Sequence, residues 1–230
     1  MTDMSVSSRP AGRRRHTTGE ATRELLMETA ERLFALRGVD GVTLREIQVE
    51  AGQSNSSVIT YHFGSKAGLV GALIDFRYRN IDARRTALLA ELHETPPQDL
   101  ARAAIWVIVR PLLESIEAGE MFVPFLARLS ESPSAHSEYW PREFEDTRVD
   151  VLTALEPNAL AQLPEQLRRG RGVQLYNSVL NLLGEHARRG RTIRAVQLEN
   201  YVDGWAAMLT APVSEYTLAL LPDSASPAVP

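Results

Sequence analysis

The tightest constraint on this chain is the punctuation between Thr43 and Phe63. Thr43 and Glu46 form a T-x-x-E signature, in which a hydroxyl and a carboxylate satisfy the free amides of a helix start. Leu44, Ile47 and Ala51 follow at helical spacing, and Gly52 ends the run after barely two turns. Gln53 and Ser54 make a tight turn, and Asn55 is a good N-cap. A short helix over Ser56–His62 then offers Ile59, and after it Phe63, to a core. Gly64–Ser65 breaks that helix and Lys66 opens the next. A chain so divided has to form two short helices joined by a turn, packed on longer neighbours.

The flanking segments supply those neighbours. Residues 1–16 lack periodicity and read as a flexible basic arm. Thr17 and Glu20 repeat the capping signature, and Leu26, Ala30, Leu33 and Phe34 follow at helical spacing up to Gly38. Beyond Lys66 the pattern predicts helices over about 66–92, 98–117, 121–130, 142–155, 166–189 and 196–210, with loops marked by proline. No segment alternates with period two, and no internal repeat is present. The expected fold class is all-α, with about nine or ten helices. The expected organisation is an arm (1–16), a helix-turn-helix domain (17–65), a larger helical domain (66–221) and a disordered tail (222–230).

Composition removes several function classes. The absence of cysteine excludes a disulfide scaffold, a thiolate metal site and a cysteine nucleophile. The longest apolar run, Ala103 to Val109, stops at Arg110, whereas a membrane-spanning helix needs roughly 20 residues. The first twenty residues lack the apolar region of a secretory signal. A cytoplasmic protein with no membrane partner is expected. The five histidines show no metal-ligand spacing, and no H-E-x-x-H, G-x-S-x-G, P-loop or G-x-G-x-x-G occurs. Glu143, Glu145 and Asp146 read as the wet face of a helix. No catalytic residue, metal site or cofactor is therefore expected.

Charge is uneven. Residues 1–70 hold nine Lys+Arg against eight Asp+Glu, and the remainder hold 16 against 21. Of the 25 basic residues only Lys66 is a lysine. The second helix of the 43–63 pair is too short to be a bundle member and has few inward apolar residues. Its other faces carry Ser56, Ser57, Thr60, Tyr61 and His62, all small or hydrogen-bonding. A B-DNA major groove, about 12 Å wide, admits one such helix. By the residues alone, a DNA reader and a plain surface hairpin both stand.

The segments LFALRGVDGVTLREIQVEAG and YHFGSKAGL resemble the N-terminal domain of TetR-type transcriptional regulators over about residues 18–70. Between Ala51–Gly52 and Phe63 the chain has one residue more than the commonest family spacing, which shifts the register of base contacts near residues 54–57. The resemblance implies phosphate contacts from Thr43, Tyr61, His62 and Lys66, the last beside the free amides of a helix start. It implies base-facing positions near Asn55, at Ser56, Ser57 and Thr60. None of the last three brings a bidentate fork to a purine, so direct readout should lean on hydroxyls and thymine methyls. Arg13, Arg14 and Arg15 either enter the minor groove or form a mobile basic tail.

The resemblance further implies a homodimer on palindromic operator DNA. Its interface would lie on the last two helices, with Leu175, Val179, Leu183 and His186 on one face and Val202, Trp205, Ala206 and Leu209 on the other, Gly204 allowing close approach; intrachain burial is the alternative. Trp106, Met121, Phe122, Phe125, Leu126, Tyr139, Trp140, Phe144 and Tyr176 could line an apolar effector pocket or simply form core. Arg110 and Arg128 suit an anionic or hydroxylated ligand, or snorkel to solvent. The expected function is a DNA-binding transcriptional regulator, a repressor released by a small, largely apolar effector of unknown identity. The alternative is a helical small-molecule or protein-binding module that does not regulate transcription.

Overall fold

The structure is a computed structural model that describes residues 12–95, 97–132, 138–139, 160 and 163–221, with side chains from residue 19. The described residues form helices and no strand, as the missing period-two pattern predicts. The order is α1 (Gly12–Arg37), α2 (Leu44–Glu50), α3 (Val58–Phe63), α4 (Lys66–Glu94), α5 (Leu100–Glu117), α6 (Phe122–Glu131), α7 (Glu165–Arg188), α8 (Ala195–Thr210) and a final turn, α9 (Glu215–Leu218). The helix expected over 142–155, Trp140, Phe144 and the tail 222–230 lie outside the described residues.

Helix α1 departs from the sequence expectation. It begins at Gly12 and runs through Thr17, so Thr17 is not an N-cap and residues 12–16 are helical backbone rather than arm. A capping box is a local preference, and a helix that can extend upstream of it does so. The second box is fully formed. Thr43 is the N-cap of α2, its hydroxyl accepts from the Glu46 amide at 3.2 Å, and its own amide donates to Glu46 Oε2 at 2.7 Å.

Helix α4 is the spine. It packs on α1, α3 and α5. Helix α6 lies between α1 and α7, while α8 lies against α5 and α7. Arg102 on α5 pairs with Glu199 and Asp203, one turn apart on α8. One apolar core runs through both ends of the molecule. Phe34, Ile47 and Leu69 belong to it near the short helices, and Phe122, Leu175 and Val202 belong to it in the body.

A buried ion-pair relay fastens the two ends. Arg77 on α4 donates from Nε to Glu31 Oε2 on α1 at 2.6 Å and from Nη1 to Glu120 Oε1 at 2.7 Å. Glu31 also accepts the Met121 amide at 2.7 Å, and Glu120 accepts the Ser115 hydroxyl at 2.6 Å. Burial pushes the Glu31 carboxyl above its ordinary value, outweighing the nearby Arg77 charge.

Candidate nucleic-acid interface

Helices α2 and α3 meet through a turn that only a left-handed residue makes cheaply, and Gly52 supplies it with φ of +66°. The turn is pinned by Gln48, whose side-chain amide donates to the Gln53 carbonyl at 3.0 Å. Asn55 caps differently from the expectation. Its Oδ1 accepts from the Ser57 amide at 3.0 Å, and α3 starts only at Val58, with Ser57 as an N-cap whose hydroxyl makes no capping bond. Ser56 and Ser57 are exposed on that turn.

Val58 and Ile59 are buried and hold α3 to the module, while Ser56, Ser57, Thr60 and Tyr61 are exposed. Tyr61 is 82% exposed, its ring edge-on to His62 at 5.0 Å. Ser56 and Thr60 share an open groove of about 460 Å³ with Arg45 and Gln48 of α2. The structure therefore brings Ser56 and Thr60 together with Arg45, which the sequence reading missed. Its signal was the exposed position after Leu44 in T-L-R-E.

Electrostatics separate the cations that are available from those already used. Arg37 is paired with Glu46 at 2.6 Å, and Arg32 with Glu50 at 3.0 Å. Arg23 lies over the Phe63 ring at 5.2 Å. Arg45 and Lys66 have no such partner among the described residues. Lys66 is the first residue of α4, where the Ser65 hydroxyl takes the Gly68 amide at 3.0 Å. Its ammonium and the remaining first-turn amides form one positive locus.

Two expected contacts are changed by their surroundings. The Thr43 hydroxyl proton is committed to Glu46 Oε2 at 2.7 Å, so it reaches a phosphate only by leaving that carboxylate. The Thr43 amide, then Arg37 and the Thr43 hydroxyl, hold the Glu46 carboxyl at about 2 against an ordinary 4.5. The box's contribution to stability is present above the ordinary value and fades as pH falls toward 2. Burial, then the Arg23 charge, lowers the His62 pKa below its ordinary 6.5, so His62 is a neutral group at pH 7. Arg13, Arg14 and Arg15 fall on the helical backbone of α1, and their side chains lie outside the described ones.

Gly68 sets the distance between reader and spine. A Cβ built there would stand 2.0 Å from the Phe63 carbonyl oxygen, a backbone atom that cannot move alone. Glycine to alanine inside an exposed helix otherwise gains about 1 kcal/mol. Gly68→Ala is expected instead to lose about 1–3 kcal/mol, the cost of overpacking. Denaturant unfolding checks the sign, and a stabilised Gly68→Ala protein would show that α3 yields freely.

The residues expected to line an effector pocket are scattered. Phe122 and Phe125 are fully buried core, 6.1 Å apart, with Phe125 against Phe34 at 6.0 Å. Arg110 is exposed and stacks over Trp106 at 5.0 Å. Arg128 pairs with Glu131 at 2.9 Å. Those five are thus occupied by packing or by neighbours, as aromatics at helical spacing usually are. Tyr176 is buried, and Met121 lines an open pocket of about 350 Å³ with Leu113, Ile116, Leu183 and Leu198.

The proposed interface residues need correction. Val179, Leu183, Val202, Trp205 and Leu209 are buried to 2% exposure or less within a single chain. The Trp205 indole donates to the Ser178 hydroxyl at 3.0 Å. Val202, Trp205 and Leu209 of α8 are buried against the chain's own α5 and α7, and Val179 and Leu183 are buried on α7. Of the expected interface residues Ala206 and His186 are partly exposed and Gly204 is exposed. The exposed positions of α8 include Val196, Asn200, Asp203, Gly204 and Ala207.

Together these features define a class: a helix-turn-helix module carried on an all-helical body. Residues 26–73 match the family described as bacterial regulatory proteins, tetR family. It is 31% identical over 122 residues to the HTH-type transcriptional repressor Rv3405c of Mycobacterium tuberculosis and equally to the HTH-type transcriptional regulator Mb3439c of Mycobacterium bovis. The match takes in 50% of this chain and 61% of each relative's length. Among solved structures, a gamma-butyrolactone receptor (ArpA-like protein) shares the fold with a TM-score of 0.53 at 21% identity, over 84% of this chain and 97% of that one. A TetR-family transcriptional regulator from Mesorhizobium loti aligns with a TM-score of 0.50 at 18% identity, over 84% and 96%.

Proposed function

We propose that this protein is a dimeric DNA-binding transcriptional regulator, a repressor that a small effector releases from its operator. The observation that carries the reading is the α2–α3 surface. It has a short helix with an exposed hydroxyl face, flanked by Arg45 and Lys66, which have no ion-pair partner among the described residues, while Arg23, Arg32 and Arg37 are engaged. A surface hairpin has no need of such an arrangement, whereas a groove reader needs hydroxyls toward bases and free cations toward phosphates.

Coupling to an effector runs through α4. The helix carries Lys66 at its first residue and Arg77 three turns later, bonded to α1 and to the α5–α6 loop at once. An effector that moves α4 or that loop changes the placement of the reader helix, and two half-sites on one duplex fit only one spacing of two readers. The second copy covers the outer faces of α7 and α8, where Gly204 and Ala207 leave α8 open to close approach.

DNA binding measured by fluorescence anisotropy across a salt series tests the reading, using the DNA flanking the protein's own gene and random duplex. Lys66→Ala should weaken binding to both DNAs alike and reduce the salt slope by about one. Absence of salt-dependent binding to either duplex sinks the regulator reading. An unchanged slope for Lys66→Ala removes that residue from the phosphate contacts.

A further inference from the structure

The body contains a positive charge that no carboxylate among the described residues answers. Arg85, on α4, is 1% exposed. Its Nη1 donates to the Tyr78 hydroxyl at 2.6 Å and its Nη2 to the Tyr176 hydroxyl at 2.9 Å. Both rings lie against the guanidinium, with centroids at 5.4 and 5.8 Å. Nε is buried and has no acceptor. A guanidinium has five N–H donors, and here two neutral phenols answer it.

The other well-buried arginines are treated differently. Arg77 meets Glu31 and Glu120, and Arg188 meets Glu185 and Glu131. No carboxylate among the described residues pairs with Arg85. A desolvated cation without a counter-charge is costly to keep, and an orphaned donor adds to that cost. An anion with at least one acceptor oxygen would answer both the charge and the free Nε–H.

Resting on the effector-responsive reading above, we propose that Arg85, Tyr78 and Tyr176 anchor the effector and that the effector bears a single carboxylate. One cation with no second basic group bonded beside it matches one negative charge better than a dianionic phosphate. Buried Ile81 lies one turn away on α4, and buried Leu175 and Val179 flank Tyr176 on α7, so the body of the ligand is apolar. Tyr78 is the partly exposed member of the trio, and the carboxylate reaches Arg85 by displacing its phenol. Arg85 stands eight residues along α4 from Arg77, about 12 Å, so a ligand held there pulls on the helix that also bears the relay to α1.

The test is thermal unfolding of the full chain without DNA, with sodium decanoate and sodium 1-naphthoate as probes, each against its neutral primary amide. Both carboxylates should raise Tm more than their amides, by roughly 5–10 °C at a hundredfold excess over Kd. Arg85→Met should abolish the difference while unfolding at or above the wild-type Tm, since an apolar side chain removes the stranded charge. Should that variant not fold, Arg85→Lys decides: it keeps the charge but loses the fork, and the carboxylate advantage should fall about tenfold in affinity. Carboxylates no better than amides, or an advantage that survives in both variants, overturn the proposal. A chain that binds DNA yet ignores every carboxylate loses this anchor and keeps the regulator reading, whereas carboxylate stabilisation without DNA binding does the reverse.

Discussion

Trp205→Glu is expected to destroy the fold of the helical body, not to split a dimer. Trp205 is 2% exposed, packs on Tyr201 at 5.7 Å and bonds to Ser178. Removing such an aromatic costs about 3–5 kcal/mol. Forcing a carboxylate into its place adds several more, because nothing nearby answers the charge. Total stabilities run to about 5–15 kcal/mol, so the sum exhausts the protein. Circular dichroism should show no cooperative thermal transition. Trp205→Phe keeps most of the volume and should lose only about 1–2 kcal/mol with the indole bond. Ala207→Glu, on the outer face of α8, is the variant expected to stay folded and sediment as a monomer. A folded, half-mass Trp205→Glu protein would restore that residue to the subunit interface.

Arg77→Leu should cost about 3–5 kcal/mol, because it strands Glu31, which is 3% exposed, without its cation. At this chain length that lowers Tm by roughly 10 °C. The direction with pH follows from Glu31. Its carboxyl lies above the ordinary 4.5 because burial favours the neutral form, so the stability it contributes is present at low pH and fades as pH rises through the folded value. Removing Arg77 deepens that dependence, and the defect should shrink in acid as Glu31 takes up its proton. Adding Glu31→Gln should recover much of the loss at pH 7. A single variant within about 1 kcal/mol of wild type at pH 7 would mean that water, and not Arg77, compensates Glu31. In the proposed regulator the same variant should also blunt effector release, since it cuts the link between α4 and α1.

Much of the architecture was legible in the chain. Thr43 with Glu46, and the glycines at 52 and 64, mark helix ends by local chemistry, and local chemistry is what a sequence records directly. Leu69, Leu73 and Phe76 mark one face of α4 through their spacing, and the first two are buried while Phe76 is partly so, because periodicity encodes which side of a helix is covered. Lys66 and the hydroxyl face of α3 were equally visible. Exposed polar groups on a short helix owe little to distant contacts.

What periodicity cannot encode is the identity of the covering surface. Val202, Trp205 and Leu209 form an apolar stripe whether α5 and α7 or a second subunit lies over it, and only tertiary packing assigned it to the chain's own core. Glu31 and Arg77 are 46 residues apart, and Arg85 and Tyr176 are 91 apart. No local signal pairs them, since an arginine in a helix reads alike in water and in a core. The sequence by itself determined where the helices start, stop and turn, and which faces are apolar. Tertiary structure decided which charges are buried and which are left free, because burial depends on helices brought together from distant parts of the chain.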